Sequence, residues 1–210
     1  LHKAIRRQRQ MCIRDRGGMW LGTYFGGINY YHPLKNRFRN LQFTAKPNSL
    51  NSNIINCIRE DAQKGLWIGT NGGGVNYYNP QTGKFTHYTQ KEGLGSNDVK
   101  AIYIDEANKQ VYIGTHTGGL SILHRRSGQI ETYNRNSREK NIYAIEPTET
   151  GDFWMSGMSS ILRFNPSQLS FSSITTQSDG RPFLRERVSN FFRDSKHRLW
   201  LISEKGLFAY

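Results

Sequence analysis

Carboxylates recur along this chain of 210 residues, at Glu60, Asp61, Asp105, Glu106, Asp152 and Asp194. Acid–base work on a glycosidic or similar bond needs two carboxyls poised across a single bond. These acids instead return at intervals, each just ahead of a turn, where Asp is a favoured turn former. An active site is usually built once, so the recurrence points to structure, and no catalytic set is expected. His32, His87, His116, His124 and His197, with Cys12 and Cys57, show no zinc spacing, so neither a metal nor a cofactor is expected. The run 69–74, Gly-Thr-Asn-Gly-Gly-Gly, lacks the Gly-Lys-Ser/Thr ending of a phosphate loop, and no helical pattern follows it. What remains is the chemistry of recognition. Tyr24, Asn71 and His116 offer an aromatic face, an amide and an imidazole, groups that suit the CH faces and hydroxyls of a sugar. Arg181, Arg185 and Arg187 beside Phe183 suit an anionic sugar or a partner domain, or form a solvated basic loop. Arg185 joins Tyr24, Asn71 and His116 as a candidate ligand-binding residue.

Those residues sit on a repeated frame. Gly-Thr-x-x-Gly-Gly occurs at 22–27, 69–74 and 114–119, each time after an aromatic-led apolar run. The lead aromatics are Trp20, Trp67, Tyr112, Trp154 and Trp200, spaced 47, 45, 42 and 46 residues apart. A period in the forties marks one supersecondary unit repeated side by side, because each unit alone cannot bury its apolar face. In the clearest unit four short β-rich runs alternate with turn clusters: Ile54 to Glu60, Leu66 to Thr70, Val75 to Tyr78, and Phe85 to Tyr88. Here they are strands A, B, C and D of an antiparallel meander. Such meanders at this period are the blades of a β-propeller, and the helical repeats of similar period need an i, i+3, i+4 pattern that is absent. The expectation is an all-β protein: an open arc of four to five blades, at about 17–45, 53–89, 98–134, 141–174 and 188–210, the last incomplete. The chain reads as a fragment of a longer protein. The lead aromatics are expected to fill the wedge between blades. Gly69 and Gly114 are expected to serve hairpins and close packing.

Strands that alternate in direction put the B–C turns and the D–A connectors on one face. The tips of the B–C turns differ while their frame repeats, the pattern of a binding face on a rigid scaffold and equally of neutral drift. Any ligand is expected there.

The formal net charge is +13. Residues 1–16 hold six basic residues against one acid, a net +5 that leaves +8 for the remainder. They show neither repeat pattern nor signal-peptide core, and 11–16 resembles translated sequencing adapter, so residues 1–16 are expected to be non-native or unstructured. The remaining basic residues are scattered, without a stripe of interleaved stacking aromatics, which argues against a nucleic-acid binder. No apolar run of ~18 residues is present, so no membrane insertion is expected of this segment.

The string Gly65-Leu66-Trp67-Ile68-Gly69-Thr70, then Gly73-Gly74-Val75-Asn76, Tyr78, Pro80 and Thr82-Gly83-Lys84-Phe85, is similar to the two-component regulator propeller repeat. The lead-in Asn48-Ser49-Leu50-Asn51-Ser52-Asn53-Ile54 resembles that of the same family. The resemblance covers 17–210 and is strongest over 53–89. It implies the periplasmic sensor portion of a membrane-anchored hybrid two-component histidine kinase, an oligosaccharide ligand and a possible homodimer in the parent receptor. The kinase core is absent from this segment, which is expected not to be an enzyme. A carbohydrate-active propeller enzyme, lyase or hydrolase, and a generic propeller interaction scaffold are the alternatives.

Overall fold

The computed structural model describes residues 11–15, 18–23, 26–31, 39–133, 139–174 and 187–209. They form five antiparallel sheets, each a meander of consecutive strands. The first contains β1 (Met11–Asp15), β2 (Gly18–Thr23), β3 (Gly27–Tyr31) and β4 (Arg39–Leu41). The second contains β5 (Ile55–Glu60), β6 (Leu66–Thr70), β7 (Val75–Asn79) and β8 (Lys84–Tyr88). The third contains β9 (Val99–Asp105), β10 (Gln110–Thr115), β11 (Leu120–His124) and β12 (Ile130–Tyr133). The fourth contains β13 (Ala144–Pro147), β14 (Phe153–Ser156), β15 (Ile161–Asn165) and β16 (Ser170–Ile174). The fifth contains β17 (Val188–Arg193), β18 (Leu199–Ser203) and β19 (Gly206–Ala209). The one helical element among the described residues is a single 3-10 turn, Gln90–Glu92, capped by the Thr89 hydroxyl. Successive sheets pack face to face, so the molecule is the expected all-β arc of propeller blades.

Met11–Asp15 correct the expectation that residues 1–16 stand outside the blades. They pair with β2 from Met11 opposite Gly22 to Asp15 opposite Gly18. The inner edge of β2 presents a row of backbone donors and acceptors, and an extended segment of almost any composition satisfies them. Composition alone does not reveal this, because the bond is made by backbone. Residues 1–10 and 16 lie outside the described residues.

The core lies between sheets rather than within them. Ile28 and Leu41 of the first sheet pack on Ile58, Ile68 and Tyr78 of the second. The opposite face of the second sheet, with Cys57, Trp67 and Val75, packs on Val99, Val111 and Ile113 of the third. The same order is repeated by Tyr112 and Ile122 against Phe153 and Phe164, and by Ala144 and Ile161 against Phe191 and Leu201. Trp67 is 2% exposed and Tyr112 1%, as expected of wedge-filling rings, whereas Trp20, Trp154 and Trp200 are half-buried. Gly69 explains the close approach of the second and third sheets. A Cβ there would run into Cys57 Sγ and lie 2.7 Å from Val99 Cγ1. Gly114 does the same one sheet later, against Ile142.

A polar clamp closes the second interface from the side of the A–B turns. Asp61 Oδ1 accepts the backbone N–H groups of Gln63 and Gly65, which fixes the turn. Its Oδ2 accepts the Trp67 indole N–H at 3.1 Å and Arg125 Nη2 at 2.8 Å. Arg125 also donates to Gln63 Oε1 at 2.8 Å and to Glu106 Oε2 at 3.0 Å, with its guanidinium 5.6 Å from the centre of the Trp67 ring. Asp194 repeats the turn and indole bonds in the fifth sheet, accepting Trp200 Nε1 at 2.9 Å. The recurring acids at 61 and 194 therefore hold turns and indoles, as their recurrence suggested.

Replacement of Trp67 by Ala is expected to cost about 3–5 kcal/mol, read from urea unfolding, because it opens a cavity at the interface. The same change at the half-buried Trp154 is expected to cost less. Glu106 supplies a pH test. Its carboxyl is held below the ordinary glutamate range, above all by the Ala62 N–H it accepts, then by Lys109 and Arg125, against the opposing effect of burial. A depressed folded-state pKa contributes stability that is present above the unfolded value and lost as pH falls through the folded one. The stability advantage of the wild type over Glu106→Gln is therefore expected to be constant near neutrality. It should shrink as pH falls below the ordinary value of 4.5.

Candidate functional site

The Gly-Thr-x-x-Gly-Gly turns are closed by one repeated device. Thr70 donates its N–H and its hydroxyl to the Gly74 carbonyl, the hydroxyl at 2.8 Å. Thr115 does the same to Gly119 at 2.8 Å, and Thr23 Oγ1 donates to Gly27 O at 2.9 Å. The last glycine of each turn has positive φ, 74° at Gly27, 71° at Gly74 and 76° at Gly119. At Gly74 a Cβ would also run into the Tyr88 carbonyl, so only glycine fits.

Each turn is then sewn to its neighbours by backbone. Asn71 N–H donates to Ile54 O at 2.9 Å, and Gly74 N–H donates to Asn97 O at 2.9 Å in the connector that follows. One blade on, His116 N–H donates to Asp98 O and Gly119 N–H to Lys140 O, both at 2.8 Å. Side chains reinforce the seam: Asn76 Oδ1 accepts Asn51 N–H at 2.8 Å, and Asn141 Oδ1 accepts Thr117 N–H at 2.9 Å. Among the described residues, the B–C turns of the second and third sheets and the connectors beside them thus form one continuous rim, on the face the sequence singles out.

Asn71 and His116 occupy adjacent tips of that rim, both half-buried. Tyr24 and Arg185 lie outside the described residues. The imidazole Nδ1 of His116 is 3.3 Å from the hydroxyl of Tyr143, and the Arg187 guanidinium lies 5.5 Å from the centre of the Tyr143 ring. Arg187 Nη2 also donates to Glu204 Oε1 at 2.7 Å. The structure therefore links His116, from the third blade, through Tyr143 of the fourth to Arg187 of the last connector.

Tyr143 and Arg187 reach into a cavity of about 170 Å³ on the concave side of the arc, lined also by Asn56, Arg59, Lys100 and Asn190. These belong to the innermost strands β5, β9 and β17. Asn56 Nδ2 donates to Val99 O at 2.7 Å, and Lys100 pairs with Asp98 at 2.8 Å. Sequence reasoning missed this lining. The signal for it is a polar residue set between apolar ones, as in Ile55-Asn56-Cys57 and Val99-Lys100-Ala101. An innermost strand buries side chains against both neighbouring blades, so a polar side chain there turns toward the bore. The Cys57 thiol beside this cavity is pushed up to about 11 by burial, which keeps it protonated and unreactive. Burial also raises the Glu146 carboxyl, against the pull of Arg193 and Arg59. Among the described residues, no group of three or more His, Cys, Asp or Glu side chains is placed to hold a metal ion. What the rim and cavity offer is hydrogen bonding, charge and one aromatic face, a vocabulary of binding.

With this geometry in view, the chain has recognisable relatives. Residues 49–72 match the family described as "Two component regulator propeller", and so carry the repeat that the Gly-Leu-Trp-Ile-Gly-Thr string resembles. Among solved structures, it is similar to an extracellular domain from B. thetaiotaomicron described as that of a hybrid two component system, BT3049, with 24% identity and a TM-score of 0.79. A second, from the same organism and described as that of a one component system, BT4673, shows 22% identity and a TM-score of 0.75. Both likenesses cover 94% of this chain and 26% of the other, so the chain spans about a quarter of their length. PorZ of Porphyromonas gingivalis, described as a surface component of its type-IX secretion system, shows 13% identity and a TM-score of 0.70 over 95% of this chain and 31% of its own. At these identities the likenesses establish the fold. No curated protein matches the sequence.

The turn device is open to a direct test. Thr70→Val removes a buried hydroxyl and leaves the backbone bond to Gly74 in place, and is expected to lower stability by about 0.5–1.5 kcal/mol in urea unfolding.

Proposed function

We propose that the chain is the ligand-sensing propeller module of a membrane-anchored, periplasmic hybrid two-component sensor, and that its ligand is an oligosaccharide. The observation that carries this reading is the rim itself. A backbone-bonded frame recurs blade after blade, while its tips present a different group each time, Asn71 at one and His116 at the next. His116, Tyr143 and Arg187 continue that display into the concave cavity. An amide, an imidazole and a phenol are the donors and acceptors that hydroxyl-rich ligands require. The match of residues 49–72 to the two component regulator propeller family supports a sensory setting. So does the description of the similar B. thetaiotaomicron domains as extracellular parts of two component and one component systems. In this reading the segment binds and does not catalyse, the kinase core belongs to another part of the parent, and the parent works as a homodimer.

The test uses the whole extracellular portion of the parent protein and a panel of oligosaccharides, read by calorimetry. Asn71→Ala and His116→Ala are each expected to weaken binding by about 0.5–1.5 kcal/mol, the worth of one hydrogen bond to an uncharged group. Lys64→Gln and Lys109→Gln, in the turns of the opposite face, are expected to leave it unchanged. Unchanged affinity in the first pair with a loss in the second would put the site on the other face.

A further inference from the structure

Arg125 clamps the second sheet to the third, and the strand register defines its equivalent one interface later. Leu66 pairs with Glu60 and Tyr78, Val111 with Ile104 and Leu123, and Phe153 with Pro147 and Phe164. These three residues therefore occupy one position in the repeat. One residue beyond the inner-strand partner stand Asp61, Asp105 and Thr148, and two residues beyond stand Ala62, Glu106 and Glu149. Two residues past the third-strand partner stand Pro80, Arg125 and Pro166. Arg125 is cradled by Asp61 of its neighbour and Glu106 of its own sheet. The equivalents at the next interface are Asp105 and Glu149, so both carboxylates are kept, while the arginine is replaced by Pro166.

Asp105, Glu149 and Pro166 line one cleft of about 570 Å³, together with Tyr103, Asn108 and Gln110. Asp105 accepts from the backbone N–H of Asn108 at 3.0 Å and from its Nδ2 at 2.8 Å, and no ion pair reaches it among the described residues. Glu149 is 69% exposed, 3.4 Å from Arg193 and 3.8 Å from His197. Tyr112 is the equivalent of Trp67, but its ring lies 4.5 Å from that of Phe153, and the half-buried Tyr103 supplies the aromatic face instead. The Tyr103 hydroxyl is pushed up by burial first, then by the neighbouring Asp105 and Glu146 carboxylates.

We propose that the cleft between the third and fourth sheets receives an arginine side chain of a partner polypeptide, its guanidinium lodged between Asp105 and Glu149 beside the Tyr103 ring. The chain itself displays the chemistry one blade earlier. A planar guanidinium is weakly hydrated, makes charge-assisted bonds to two carboxylates at once and lies against an aromatic face, which a lysine ammonium does less well. The cleft opens among the A–B and C–D turns, on the face opposite the rim. It is therefore independent of the proposed oligosaccharide site.

The experiment titrates the isotope-labelled chain with acetyl-arginine amide and with acetyl-citrulline amide, its neutral isostere, and follows backbone amide shifts. Saturable shifts confined to the cleft, at Asn108 and Gly151, are expected for arginine, with citrulline about tenfold weaker. Pro166→Arg supplies the missing side chain in cis and is expected to abolish the shifts. The Asp105→Asn, Glu149→Gln double variant, which keeps one oxygen to accept the Asn108 backbone N–H, is expected to abolish them without the change of backbone. Absence of shifts at the solubility limit would overturn the proposal. So would equal shifts with citrulline, shifts from a neutral oligosaccharide in place of arginine, or persistence of binding in both variants.

Discussion

Everything in this molecule depends on each sheet sharing its apolar faces with its neighbours. A four-stranded meander of this size has two faces and no interior of its own, so burial comes only from stacking. Trp67 illustrates how much one side chain can carry. It fills the wedge toward the third sheet, its indole N–H ties down the turn through Asp61, and its ring receives Arg125. Gly69, two residues on along the same strand, lets the neighbouring innermost strand approach to the distance at which that wedge closes. A large ring and a missing side chain are thus two parts of one packing solution, which is why they recur together.

The architecture was legible in the sequence because it is written with a period. The lead aromatics, the Gly-Thr turns and the alternation of β-rich runs with turn clusters each repeat, and repetition separates signal from composition. The face that gathers the B–C turns and D–A connectors followed from the direction of the strands alone. Less was legible where a residue acts across blades. Arg125 reads as one of a scattered pair of basic residues, and nothing local shows that its partner is Asp61, 64 residues earlier. The lining of the concave cavity was missed for a related reason. Asn56 and Lys100 interrupt strands that were read only as β-rich runs, although a strand packed on both sides leaves its polar residues only the bore. Met11–Asp15 was set aside because it lacks the repeat pattern and resembles translated adapter sequence, yet its place in the sheet is made by backbone bonds that residue types do not encode.

The two faces solve different problems. The A–B and C–D turns are tied by side chains, Asp61 and Asp194 to indoles and Arg125 across an interface, so their residue types are constrained by what they hold. On the rim, the threonine and the two closing glycines of the second and third turns are fixed by geometry, whereas Asn71 and His116 join the frame through their backbone N–H groups. The first face is a fastening. The second is a display.

The bonds that sew the rim together, from Asn71 N to Ile54 O, Gly74 N to Asn97 O, His116 N to Asp98 O and Gly119 N to Lys140 O, run from main chain to main chain. A change of side chain at Asn71 or His116 alters what the rim presents and leaves these bonds in place. Such a scaffold is variable in a specific sense: the side chains at 71 and 116 can change one at a time on an intact fold.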